Sequence, residues 1–199
     1  MPAHNLPRWR EDAPAAYDDE LSDVLATHDT VWLAYWSPET RIFDFLATAG
    51  LARTATLTTD HLGNDLNVYR YDRLPEQPVA VYTSGMTLLA AEFHDEMGRL
   101  DLWWMADETP DQDYSVSAFA LDESGRLVTQ HDSFPFENVR PTTSWQTGEV
   151  VFDPHWLETG GLLSGRYTLG VKVYTYYDGE VYLTTEGEEY AVVGELAVR

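Results

Sequence analysis

Imidazoles and carboxylates are the first groups to weigh, because they carry most acid–base and metal chemistry at neutral pH. His4, His28, His61, His94, His131 and His155 stand singly along the chain. A histidine metal site needs converging rings, commonly two at i and i+4 on a helix or alternating on a strand, and no pair has that spacing. His131-Asp132 and Asp153-Pro154-His155 place a carboxylate near an imidazole. That pairing is common, and the simplest reading of each ring is a hydrogen bonder at the surface or between strands. Calcium is better served, since it takes several hard oxygen ligands from a flexible loop. Asp107, Glu108, Asp111 and Asp113 cluster between two predicted strands, and Asp107, Asp111 and Asp113 are the ligands an ion there would use. The twelve-residue loop pattern of helix-loop-helix calcium sites is missing, so calcium is the one cofactor with any ligands on offer and none is otherwise expected.

Other reaction classes find less. A serine nucleophile on a Gly-x-Ser-x-Gly turn is absent, and with no cysteine there is no thiolate nucleophile, thiolate metal site or disulfide. Gly160-Gly161 and Gly165 precede a strand-like segment rather than a helix, which makes them turn residues and not a phosphate cradle. Asp111-Gln112-Asp113 matches the Asp-x-Asp of nucleotide-sugar transferases but lacks the nucleotide domain around it. Two carboxylates for glycoside hydrolysis meet in space, ~5 to 9 Å apart, so sequence spacing names no pair. No residue is assigned a catalytic role.

Aromatic residues say more. Seven Trp, twelve Tyr and seven Phe exceed what a β core of this size takes up. Aromatic faces left outside a sandwich stack on the apolar faces of sugar rings, while nearby Asp, Asn and Gln fix the hydroxyls. Adjacent Trp103 and Trp104 on one strand must point to opposite faces, so at most one enters a two-layer core. Trp103, Trp145, Trp156, Tyr174 and Tyr176 are the expected carbohydrate contacts, with Tyr177 beside them.

These side chains must be positioned by 199 residues carrying 12 Lys+Arg against 34 Asp+Glu, a formal charge of −22. Lys172 is the sole lysine. Nucleic acid and anionic lipid both need a basic footprint, so neither is an expected partner. The longest apolar run, residues 31–36, is far short of the ~20 residues of a membrane helix, so no membrane insertion is expected. Met1 to Trp9 shows no apolar signal-peptide core.

The texture changes near Pro75 and Pro78. Residues 1–77 read as a small α/β unit in the order α, β, α, β, β. A helix starts at Asp12, with Tyr17, Leu21, Val24 and Leu25 on one face. A buried strand follows at 30–36, then a helix opened by Ser37-Pro38 and ended by Gly50, then strands at 55–59 and 66–71. Residues 78–199 read as an antiparallel β-sandwich, jelly-roll-like, with strands at 87–93, 100–104, 114–121, 126–130, 149–152, 167–174, 181–184 and 190–198. The fold class is therefore α+β.

One stretch carries a family likeness. Asp122-x-x-Gly125-Arg-Leu-Val, Gln130-His-Asp132, Pro141-Thr-Thr-Ser-Trp145-Gln-Thr-Gly148-Glu-Val-Val-x-Asp153 and Gly165-Arg-Tyr-x-Leu-Gly-Val follow one another there. Together they resemble the β-sandwich module at the C-terminal, extracytoplasmic end of polytopic bacterial glycosyltransferases of the dolichyl-phosphate-mannose protein mannosyltransferase type. Trp9-Arg-Glu-Asp, Asp29-Thr-Val-Trp-Leu and Asn67-Val-Tyr-Arg-Tyr are similar to the segment after the last membrane helix of such proteins. The resemblance implies an extracytoplasmic, non-catalytic accessory domain that binds or presents glycan or glycosyl acceptor beside a parent membrane domain. The family's catalytic acid lies in a loop between membrane helices that this chain does not contain, so no catalytic residue carries over. Two other classes stay open: a structural protein–protein interaction module, and a glycoside-active enzyme with paired carboxylates.

Overall fold

The computed structural model describes residues 14–35, 46, 51–61 and 64–198. The chain divides into two compact units, Met1–Leu74 and Pro75–Arg199. The described strands pair antiparallel throughout, and α1 is the one helix among the described residues longer than a single turn. Among the described residues no helix is long and apolar enough to cross a membrane.

In the first unit α1 (Pro14–Thr27) opens on a proline, whose fixed φ suits a first helical position. Leu21 and Leu25, one turn apart, are buried on its inner face with Leu46, Leu51 and Tyr71. The strands β1 (Thr30–Tyr35), β2 (Leu51–His61) and β3 (Asn64–Arg73) form an antiparallel sheet in the order β1-β3-β2. The helix expected between Ser37 and Gly50 lies, apart from Leu46, outside the described residues. β2 is longer than expected because a bulge between Arg53 and Ala55 lets the ladder run on. The displaced Thr54 turns inward and donates its hydroxyl to Asp72, which also accepts from Thr30 Oγ1 at 2.6 Å.

The second unit is a β-sandwich-like pair of sheets. One holds β4 (Ala80–Val81), β5 (Met86–His94), β6 (Arg99–Ala106) and β9 (Val151–Trp156) in that order. The other places β7 (Ser115–Leu121) between β8 (Leu127–Ser133) and β10 (Gly165–Tyr174); β11 (Val181–Tyr182) and β12 (Ala191–Val198) both pair with β10. Alternation decides the core: Leu100, Leu102 and Trp104 of β6 meet Val116, Ala118 and Ala120 of β7 and Leu169, Val171 and Val173 of β10. Tyr82 joins that core and donates its hydroxyl to Val171 O at 2.8 Å. Burial holds that phenol well above its ordinary range, so it stays a donor at all ordinary pH.

The strand order departs from the expected jelly roll. A double Greek key places most consecutive strands in opposite layers, whereas β5 and β6, and β7 and β8, pair within one sheet. The cause at β5–β6 is the turn Asp95–Met97 closed by Gly98 at φ 61, which sends the chain straight back on itself. β9 also runs past its expected end at Phe152, because Pro154 sits in the last strand of its sheet, where a missing N–H costs no ladder bond.

Candidate functional site

Alternation along β7 sends Ser115 and Ser117 to the outer face of the second sheet, opposite Val116 and Ala118. The register sets Ser117 between Asp132 of β8 and Lys172 of β10, with Ser115 beside Tyr174. Small residues on the middle strand thus form a floor between larger polar ones. Tyr174 reaches across it to donate its hydroxyl to Asp132 Oδ1 at 3.2 Å, and Gln130 donates to Asp132 Oδ2 at 2.8 Å. Lys172 Nζ lies 5.6 Å from the Tyr174 ring centroid. Burial first, then the Asp132 carboxylate, raises the Tyr174 phenol above its usual range. An aromatic ring with a carboxylate, an amide and an ammonium around it can stack on an apolar face and bond hydroxyls at its rim.

A second constellation joins the two histidine–carboxylate segments. Asp153 and His155 are fully buried on β9, and His155 Nε2 lies 2.9 Å from Asp153 Oδ2. Trp104 Nε1 donates to the same oxygen at 3.1 Å, and the Phe136 amide donates to Oδ1 at 2.8 Å. His155 Nδ1 then faces His131 Nδ1 of β8 at 2.9 Å. The chain Asp153, His155, His131 bridges the edge strands of the two sheets, and its outer ring meets Trp156 edge-on, with centroids 6.3 Å apart. Beside it Phe136, Glu137 and Asn138 are three consecutive non-glycine residues at positive φ, 54°, 51° and 68°. Backbone this unusual persists only when its surroundings over-determine it. Here Asp153 pins its first amide, and the Asn138 side chain caps Phe134 N at 3.0 Å.

The expected sugar contacts fall in different places. Trp145 is 2% exposed, packed in the sandwich core, with its Nε1 donating to Arg140 O. Trp103 points away from that core, as alternation requires, yet is 4% exposed, with its ring 5.6 Å from Phe152. Neither offers an open face in this conformation. Trp156 is 42% exposed at the end of β9, Tyr174 belongs to the strip above, and Tyr176 is 70% exposed in the turn after β10. An open cleft of about 660 Å³ between Asp122–Arg126 and the segment before β10 is lined by none of them.

The acidic loop does not assemble an ion site. Asp107 and Asp111 are exposed, while Asp113 Oδ1 accepts from Thr143 N and Thr143 Oγ1 at 3.1 and 2.7 Å. Among the described residues no three acidic or histidine side chains are grouped to hold a metal. The loop is tied down by buried Thr142, whose hydroxyl donates to Gln112 O at 2.8 Å and accepts from Tyr114 N at 3.0 Å. Thr142→Val keeps the shape and orphans both partners, so the expected loss is about 2 kcal/mol. A drop of about 4 to 8 °C in Tm checks it.

Comparison with known proteins adds little. No family model matches the sequence, and no curated protein is similar to it. Among solved structures it matches an endonuclease/exonuclease/phosphatase from Beutenbergia cavernae DSM 12333 at 14% identity and a TM-score of 0.26, over 93% of this chain. This chain spans 59% of that protein's length, and a likeness this slight carries no argument about fold or activity.

Proposed function

We propose that this chain is a non-catalytic accessory domain, a small α/β unit followed by a sandwich, that binds glycan or a glycosyl acceptor on the outer face of the β8-β7-β10 sheet. The observation that supports this reading is the Tyr174 strip, where a partly exposed phenol ring stands over a serine floor with Asp132, Gln130 and Lys172 at its sides. Tyr176 extends the aromatic surface into the adjoining turn. The formal charge of −22 favours neutral over anionic glycans. By the family resemblance, the domain works on the extracytoplasmic side of the membrane beside a glycosyltransferase.

A glycan array followed by amide chemical-shift titration tests it. Neutral glycans are expected to bind in the millimolar range or tighter and to shift the amides of β7, β8 and β10. Tyr174→Ala should weaken that binding about tenfold, equivalent to ~1.4 kcal/mol. Silence towards every neutral and anionic glycan at millimolar concentration removes the proposal. Inert glycans together with a concentration-dependent dimer in light scattering would instead favour a protein–protein module, for which exposed Tyr177 at the tip of the same turn is the natural contact.

A further inference from the structure

The histidine bridge between the sheet edges has a fixed proton arrangement. Asp153 offers only acceptors, so His155 must present Nε2–H to it, which leaves the Nδ1 of a neutral ring as a lone pair. That lone pair faces His131 Nδ1 at 2.9 Å and the His131 carbonyl oxygen at 3.3 Å; of the two only the ring nitrogen can supply a proton, so His131 carries its proton on Nδ1 and turns an unprotonated Nε2 away from the bridge.

We propose that His131 and His155 form a proton-sensitive catch that closes the β8–β9 edge of the sandwich at neutral pH and loosens as pH falls. His131 is the moving part, because it is half-buried on an edge strand while His155 is sealed inside. The groups that face His131 are Asp153 and His155 from β9, Glu137 from the left-handed turn and Asp132 on its own strand. Burial, then the charge of His155, disfavours the His131 cation, and the three carboxylates oppose them without prevailing, so the ring titrates below its ordinary 6.5. The unfolded chain therefore binds more protons than the folded one between that lowered value and 6.5. The stability the neutral ring contributes is complete above 6.5 and is lost as pH falls through this window. This device stands on the bridge geometry and needs no glycan.

Two amides read the catch separately. Glu158 N donates across the same edge to Thr129 Oγ1 at 3.1 Å, two residues from His131, while Phe136 N is held by Asp153. Hydrogen exchange on the whole chain, corrected for intrinsic rates, should show Glu158 protection falling about tenfold between about pH 7.5 and about pH 4.5, with Phe136 still protected. In His131→Gln, whose amide still donates to His155 but does not titrate, Glu158 protection should not depend on pH. Imidazole nitrogen shifts of the unaltered protein at neutral pH should place the His131 proton on Nδ1. Flat Glu158 protection, an equal fall in His131→Gln, joint loss of both amides, or a His131 proton on Nε2 would each overturn the catch.

Discussion

Replacing Asp153 by alanine should destabilise the sandwich unit by about 4 kcal/mol, read as a large drop in the urea midpoint with little change in slope. Its carboxylate is fully buried and accepts from three donors on three elements: Trp104 Nε1 of β6, His155 Nε2 of β9 and the Phe136 amide. Two opposing effects set the size. Removing a buried charge recovers desolvation energy, but it leaves two buried donors and the partly buried Phe136 amide with nothing to bond, and a hydrogen bond to a charged acceptor is worth ~1.5 to 3 kcal/mol. The donors win because the two ring N–H groups cannot reach water without moving a strand or turning the core indole. The left-handed turn also depends on the Phe136 bond, so its strain is no longer held. Asp153→Asn is the finer test. Its oxygen can still take the Phe136 amide, but its NH₂ then meets the N–H groups of Trp104 and His155, so the variant should lie between alanine and the unaltered protein. A loss below ~1 kcal/mol for alanine would mean the network contributes nothing to stability.

How far the site was legible in the sequence depends on a single proline. The pattern reading ends the strand before Pro154 and so leaves Asp153 and His155 in a loop, where their neighbourhood with His131 is arbitrary. Once β9 is allowed to run to Trp156 on a sheet edge, alternation sends Val151, Asp153 and His155 to the same inner face. The signal was the Asp-Pro-His spacing itself, two residues apart, readable as one strand face only if proline is tolerated there. Position 131 could not be paired with 155 by any local rule, because the contact crosses between sheets whose register is set elsewhere. Tyr174 was legible for the opposite reason: the clean alternation of Tyr167, Leu169, Val171 and Val173 fixes which side it takes. Trp145 misled because loop position was read as exposure, whereas Thr142–Ser144 turns the chain and drops the following indole into the core. Trp103 shows the limit of alternation, which gives the direction of a side chain and not what covers it.

Gly98→Ala is expected to cost about 3 kcal/mol or more, and a matched glycine separates its two causes. Gly98 closes the β5–β6 turn at φ 61, a conformation that costs an L-residue ~1 to 2 kcal/mol. Gly125, in the β7–β8 turn at φ 78, bears the same backbone requirement, and a methyl group added there would meet nothing within 4 Å. Gly125→Ala should therefore show the conformational cost alone. At Gly98 the methyl would stand 2.5 Å from the Leu157 carbonyl oxygen and 3.2 Å from Thr159 Oγ1. The near atom is backbone, so no rotamer change relieves it. The turn and the segment after β9 must separate, which stretches the 2.7 Å bond from Leu157 N to Gly98 O and draws buried Leu157 away from the core. Because that segment leads on to Glu158 and its bond to Thr129, the damage should also appear as faster amide exchange at Glu158, which Gly125→Ala leaves alone. Equal urea midpoints for the two variants would show that the close approach is relieved at no cost, and that the β6–β9 end of the sandwich is looser than its hydrogen bonds imply.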